Sequence, residues 1–270
     1  MRSHVITLKA LNNNRDSLAE RNRALYERPW VTSAFANAAE VYPPEHVILR
    51  RYRDAYAGRD VLDLGVGGGR TAPLLAPQAA SYVGIDYSTE MVKAARTRFP
   101  AWEFRQDDAR VLAGFDRMSV DFVLFSLNGI DSVDHDDRMR ILRRVAEVLR
   151  PGGVFAFSSH NLDMPTAPAS LRITRPIRPV RLAKDVARIG LSLPNYVRNT
   201  GKQVWTDGYA LLIDPAFFCR FLTYYVGADA QRRQLAAAGF TGPIEVFGAD
   251  GSTVLSDAKS HFLHYVTRKP

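Results

Sequence analysis

The densest chemistry in the sequence sits at Val61-Leu62-Asp63-Leu64-Gly65-Val66-Gly67-Gly68-Gly69-Arg70-Thr71. There an apolar run passes straight into a glycine loop and then into a helical stretch carrying Leu74 and Leu75. Glycines let backbone N–H groups approach a ligand with no Cβ in the way, at the positive end of a helix. The dinucleotide spacing G-x-G-x-x-G would put a third glycine where Arg70 stands, and an acid at Asp63 faces the wrong way for a pyrophosphate. A carboxylate beside the loop suits a ligand carrying an ammonium and a sulfonium instead. The next apolar run, Tyr82-Val83-Gly84-Ile85, ends in Asp86. That acid stands roughly 20 residues past the loop, where a carboxylate can take both ribose hydroxyls. After a third run comes Gln106-Asp107-Asp108-Ala109, which places Asp108 to accept from an adenine amino group while a backbone N–H meets the ring. His160, at the end of the fifth run, is a candidate base for an acceptor hydroxyl or ammonium, because an unperturbed imidazole titrates near pH ~6.5.

With these motifs in this order, the chain resembles the class I S-adenosylmethionine-dependent methyltransferases over residues 56–161 and, more loosely, on to the C-terminus. Asp63 to Gly69 stands for the family's first motif, Asp86 for its ribose acid, and Asp108-Ala109 for its adenine motif. Leu149-Arg150-Pro151-Gly152-Gly153 stands for its turn before strand five. The resemblance implies an α/β fold, a seven-stranded mostly parallel sheet of order 3-2-1-4-5-7-6 flanked by helices, with the last strand antiparallel. It implies S-adenosyl-L-methionine as cofactor and S-adenosyl-L-homocysteine as product. Gly65 and Gly67 are expected to line the methionine moiety, Asp63 to face its amino group, and Met91 to cover the adenine. Gly69, Arg70, Tyr87, Ser126 and Tyr26 complete the expected cofactor set. Phe125-Ser126-Leu127-Asn128-Gly129-Ile130-Asp131 matches the fourth motif, where cofactor and acceptor meet, and Asn128 is the candidate for orienting the acceptor.

The elements that must position these groups follow from pattern. Val61–Leu64, Tyr82–Ile85, Trp102–Arg105, Val120–Phe125 and Val154–Ser158 read as strands. Ile141, Leu142, Val145, Val148 and Leu149 repeat at helical spacing before the Pro-Gly-Gly turn. Alternation of this kind is the signature of an open parallel sheet. Residues 1–55 read as an N-terminal helical cap, with Pro43-Pro44 as a break. Residues 56–161 and 227–270 read as the cofactor-binding core, and 162–226 as an inserted basic lid. Within the lid, Arg172, Arg175, Arg178 and Arg181 recur every third residue among prolines, which favours an extended chain with guanidinium groups on one face. Tyr209–Ile213 and Phe221–Val226 read as strands, Ala228–Ala238 as a helix, and Pro243–Phe247 and His261–Thr267 as closing strands.

The chain has 270 residues, of which 46% are hydrophobic, enough for a full-sized core and against disorder. No apolar run reaches the ~20 residues of a spanning helix, and Met1–Asn14 lacks a signal peptide's apolar stretch, so a soluble cytoplasmic protein with no membrane partner is expected. The lone Cys219 excludes an internal disulfide and a cysteine zinc site, and reads as packing. The run Asp131, Asp134, His135, Asp136 and Asp137 clusters oxygen ligands as a divalent metal would need, but its acids are read as caps of the following helix that oppose its dipole, with no metal site expected. Each candidate also has a structural reading: a tight turn for the glycines, a helix cap for Asp86, loop residues for Asp107 and Asp108, a loop-bonding histidine for His160. A net charge of +8 permits anionic partners without choosing among them. A small-molecule acceptor, anionic or carrier-bound included, is favoured over nucleic acid, since the Asn/Asp-Pro-Pro-aromatic loop of base methylases is replaced by Ser126-Leu127-Asn128-Gly129. RNA or protein methylation, or a cofactor-binding enzyme that transfers no methyl, remain the alternatives, and oligomeric state is not written in the sequence.

Overall fold

The computed structural model describes residues 17–165, 171, 173, 179–254 and 260–270. Four short helices come first: α1 (Leu18–Tyr26), α2 (Pro29–Ala36), α3 (Pro43–Arg51) and α4 (Arg53–Tyr56). Ser17 and Glu20 start α1 with reciprocal side-chain to backbone bonds. Pro43 and Pro44 do not break a helix, as the sequence suggested, but begin α3, because the first turn needs no backbone N–H from them. There follow β1 (Asp60–Leu64), α5 (Ala72–Leu75), β2 (Ser81–Asp86), α6 (Thr89–Arg98), β3 (Glu103–Gln106) and β4 (Val120–Phe125). After a short 3-10 turn at Gly129–Ser132 come α7 (His135–Val148), β5 (Leu149–Asn161), α8 (Pro179–Thr200), β6 (Val204–Trp205) and β7 (Tyr209–Ile213). A second such turn at Ala216–Cys219 leads to β8 (Leu222–Val226), α9 (Ala228–Ala237), β9 (Ile244–Phe247) and β10 (Phe262–Arg268).

Among the described residues ten strands form one sheet. Strands β3-β2-β1-β4-β5 are parallel, β10 runs antiparallel along β5, and β9 lies beyond β10. These seven reproduce the expected order 3-2-1-4-5-7-6. The sheet then exceeds the expectation by three strands. β4 stops opposite Phe157, whereas β5 continues to Asn161, so one edge of its tip is left unpaired by β4. β8 takes that edge, pairing Tyr225 with His160 and Val226 with Asn161, while Phe262 of β10 pairs with His160 on the other edge. β7 and β6 extend outward from β8. Part of the segment 162–226 is therefore continuous with the sheet, and it stands over the carboxyl end of β4.

Alternation along the strands splits the core between the two faces. Leu62, Leu64, Val123, Phe125, Phe155 and Phe157 pack on one side with Ile141, Leu142 and Val145 of α7 and Leu235 of α9. Val61, Phe122, Leu124, Val154 and Ala156 pack on the other with Ile48 and Leu49 of α3 and Val92 and Ala95 of α6. Coverage on both faces is why the strands read as near-continuous apolar runs. Arg172, Arg175 and Arg178 lie outside the described residues. Pro179 to Arg181 are helical rather than extended, since Pro179 is tolerated in a first turn and Val180 to Ala183 carry no helix breaker.

Candidate cofactor site

At the carboxyl ends of β1, β2 and β4 lies a cleft. It is where open α/β sheets take ligands. Of the expected cofactor residues, Gly65, Gly67, Arg70, Asp86, Tyr87, Met91, Asp108, Ala109, Ser126 and Tyr26 line it.

The glycine loop is shaped by its backbone. Gly67 has φ +54, and a Cβ built on it would meet nothing within 4 Å, so this turn opens on space rather than on protein. Its N–H donates to Asp86 Oδ2 at 3.0 Å, while the Ser88 N–H donates to Asp86 Oδ1 at 2.9 Å. The two bonds fix the carboxylate plane and leave lone pairs for two hydroxyl donors. Burial pushes the Asp86 carboxyl up to about 6, the two N–H bonds holding it back in part. Gly68 serves the cap: a Cβ there would stand 2.5 Å from Ala36 Cα and 2.9 Å from Phe35 O. Replacing Gly68 by alanine is therefore expected to push α2 off the loop, costing about 1–3 kcal/mol as overpacking does. Thermal unfolding checks this, and a midpoint within error of wild type would refute it.

Two expected residues lie off the cleft. Asp63 is fully buried beneath the loop, its Oδ2 accepting from Thr71 Oγ1 at 2.6 Å and Tyr82 OH at 2.9 Å. Its Oδ1 has no hydrogen-bond partner among the described residues, and burial raises its carboxyl to about 6. Gly69 has φ +80 and turns its Cβ position toward Phe99 Cδ2 at 2.8 Å, so it lets the loop pack on the Phe99 ring rather than lining the cleft.

Asp108 lines the cleft with both oxygens on the Arg110 guanidinium, which also reaches Asp137 at 2.7 Å. Burial pushes the Asp108 carboxyl up, but the bonds from Arg110 outweigh it and hold the group below the usual carboxylate range. Arg70 pairs in fork fashion with Glu45 of α3, 2.6 Å to each oxygen, and donates to Ser126 Oγ at 3.1 Å. It tethers the cap to the glycine loop and to the end of β4. Opposite the loop, the Tyr26 ring sits 5.5 Å from Phe35 and 5.0 Å from Phe221, and the Phe35 ring lies 5.7 Å from Phe217. Phe217, Phe218 and Cys219 all have left-handed φ (47, 61 and 60), a conformation costing roughly 1–2 kcal/mol per residue. Asn195 and Asn199 of α8 hold this turn by donating to the carbonyls of Phe218 and Cys219, each at 3.0 Å.

The two candidate catalytic residues also lie off the cleft lining. His160 packs between Tyr225 and Phe262, with Nδ1 2.7 Å from Asp131 Oδ2. Asp131 belongs to the Gly129–Ser132 turn, whose Gly129 and Ser132 do line the cleft, so His160 stands behind that wall. Asn128 has φ +57, its N–H donates to Ser158 Oγ at 2.8 Å, and its Oδ1 is buried without a partner among the described residues. Of the acids after it, Asp134 caps α7, accepting from the Asp137 N–H at 3.0 Å. Phe35, Ala38, Thr71, Leu127, Ser132 and Val133 line the cleft unforeseen. Only the aromatic content of the first helices hinted at Phe35.

The residues present fit S-adenosylmethionine: a glycine turn open to space, a fixed carboxylate with lone pairs to spare at the ribose position, and an apolar pocket at Met91 and Ile141. The fold around them is that of the class I S-adenosylmethionine-dependent methyltransferases. Residues 61–153 match the family described as "Methyltransferase domain", and the chain carries such a domain. A probable S-adenosylmethionine-dependent methyltransferase of Mycolicibacterium smegmatis is 35% identical over 116 residues, 43% of this chain and 43% of that protein. The trans-aconitate 2-methyltransferase of Azoarcus sp. is 34% identical over 110 residues, 39% of this chain and 41% of that protein. The matched stretch thus spans about two fifths of the length of these curated relatives. A solved S-adenosylmethionine-dependent methyltransferase of Methanosarcina mazei superposes with a TM-score of 0.55 at 19% identity, covering 85% of this chain and 98% of that one.

Proposed function

We propose that the protein transfers the methyl group of S-adenosylmethionine to an oxygen or nitrogen of a small molecule. The observation that supports this reading best is the Asp86 carboxylate, pinned by Gly67 and Ser88, in a cleft whose far wall is the aromatic set Tyr26 and Phe35. The cofactor supplies a methyl on a cationic sulfur: the acceptor's lone pair takes the methyl carbon while the C–S bonding pair stays on sulfur. The chain's own residues must then hold the nucleophile in line and keep water out. Asp86 holds the ribose, Asp108 and Ala109 face the adenine, and Gly65 and Gly67 admit the methionine end. The Tyr26 hydroxyl, pushed up to about 12 by burial, stays protonated and lends the wall a donor without a charge. An acceptor of metabolite size fits a cleft roofed by Tyr26, Phe35 and the chain before β8.

The test is incubation with methyl-labelled S-adenosylmethionine and fractionated cell extract, following the label into small-molecule, RNA and protein pools. Label in small molecules supports the reading, whereas label in RNA or protein overturns the acceptor class. His160→Ala removes a partner of Asp131 behind the cleft wall, so turnover is expected to fall by less than the roughly 100-fold that loss of a general base costs at least, with cofactor affinity little changed. Full turnover across the pH range would remove His160 from the mechanism.

A further inference from the structure

Helix α8 buries a polar stripe beside the half-buried Tyr196, which packs on the cluster of Leu18, Ile213, Cys219 and Leu222. Its buried positions are Asp185, Ser192 and Asn199, seven residues apart, and Asn195 and Asn199 are committed to the turn at Phe218 and Cys219. Outward it presents Val186, Gly190, Leu193 and Val197, spaced four, three and four residues apart, which is one face of a helix. Val186 is 57%, Leu193 49% and Val197 67% exposed, and Val180 and Leu191, roughly a third of a turn round the helix, are 72% and 54% exposed. A water-soluble surface rarely leaves so continuous an apolar row bare without a partner.

The charges say what kind of partner. From residue 179 to 205 the chain holds Arg181, Lys184, Arg188, Arg198 and Lys202 against a single acid, Asp185, and that acid is buried and engaged by Arg188 at 2.7 Å. Arg181, Lys184 and Arg198 are exposed, and helical periodicity puts Lys184 and Arg198 beside Val180 and Leu191, roughly a third of a turn round the helix from the row. Against a second copy of the same face this pattern would set base against base. Against an anionic bilayer, both halves of the pattern are satisfied at once. An apolar face sinking to the acyl boundary, with bordering cations among the headgroups, is how a surface-lying helix binds. No helix among the described residues is long and apolar enough to cross a membrane, so α8 would lie on the bilayer, not span it.

We infer that α8 is a docking surface for anionic lipid bilayers, through its exposed apolar side chains Val180, Val186, Leu191, Leu193 and Val197 and the exposed Lys184 and Arg198 that lie beside Val180 and Leu191. The inference does not depend on which acceptor the cleft takes. Because Asn195 and Asn199 tie α8 to the strained turn that carries Phe217, a docked helix would hold the aromatic wall of the cleft at the membrane surface.

Co-sedimentation of the full chain with vesicles tests this. Vesicles of phosphatidylcholine mixed with phosphatidylglycerol should carry the protein down, and vesicles of phosphatidylcholine alone should not. The double variant K184E/R198E should bind at least 25-fold more weakly, at about fivefold per basic side chain removed, and V186D/L193D should lose binding altogether. Both variants change exposed residues, so their thermal midpoints should match wild type, and this separates lost docking from lost folding. Equal binding to neutral vesicles, or wild-type binding by V186D/L193D, would overturn the proposal. So would absence of vesicle binding together with a concentration-dependent dimer that L193D abolishes, which would assign the face to a second copy.

Discussion

Replacing Asp86 by alanine is expected to weaken S-adenosylhomocysteine binding, read by titration calorimetry, by roughly 100- to 10,000-fold. Two hydroxyl bonds to a carboxylate contribute about 1.5–3 kcal/mol each, and each 1.4 kcal/mol is tenfold. The variant also removes the acceptor that fixes Gly67 and Ser88, so the loop loses its form along with its ligand. The wild-type protein should show a matching pH dependence. Hydroxyl donors favour the ionised carboxylate, and its folded value is about 6 in the free protein. Affinity should be flat above pH ~7 and fall by up to tenfold per unit below about 6. Stability of the free protein moves the other way. The folded value lies above the unfolded 3.8, so the native state keeps a proton that the unfolded chain releases. Stability from this group is present below pH ~4 and lost as pH rises to about 6, by up to about 3 kcal/mol. Asp86→Asn should lack the affinity slope and keep only part of the stability slope, the part that Asp63, also raised to about 6, contributes, and an alanine variant that binds like wild type would remove Asp86 from the ribose role.

What was legible in the sequence was local and periodic. Val61–Leu64 and Val120–Phe125 are apolar because both sheet faces are covered, and that signal survives without any structure. The loop from Gly65 to Gly69 announces itself because positive φ excludes most other residues, yet the sequence cannot say which glycine faces a ligand and which faces Phe99 or Ala36. Two of the three extra strands were visible singly, at Tyr209–Ile213 and Phe221–Val226, and Val204–Trp205 was not. Their place was not, because it depends on β5 outrunning β4 by a few residues. His160 likewise ends its strand as expected. Its surroundings, with Tyr225, Phe262 and Asp131 each from a different element, are long-range contacts that no local pattern encodes. The same limit hid the buried polar stripe of α8, where heptad positions alone do not tell which face meets the protein.

Least legible of all was the role of Arg138, a charged residue that helical spacing puts on the same face of α7 as Ile141, Leu142 and Val145. The structure buries it completely, and every guanidinium N–H finds an acceptor. Nε donates to Gln234 Oε1 at 3.2 Å, Nη1 to Asp131 Oδ1 and Ile130 O, and Nη2 to Ser159 Oγ and Gln231 Oε1. The guanidinium also sits 4.6 Å from the centre of the Tyr224 ring. One side chain thereby joins α7, α9, β5, β8 and the turn that forms the cleft wall. Replacing it by methionine keeps the bulk and leaves Asp131, 1% exposed, as a buried carboxylate without its cation. Such a loss costs about 3–5 kcal/mol, a drop in thermal midpoint on the order of 10 °C for a chain of this size. Because Gly129 and Ser132 of the same turn line the cleft, S-adenosylhomocysteine affinity should fall with it. Removing the charge at both ends, as R138M/D131N, should cost clearly less than the two single losses added together, since the penalty lies in the unpaired ion and not in the missing bonds alone. If the single variant loses under about 1 kcal/mol, or the double variant is additive, the network is not what holds the wall, and His160 and Asp131 are fixed by their packing on Tyr225 and Phe262 instead.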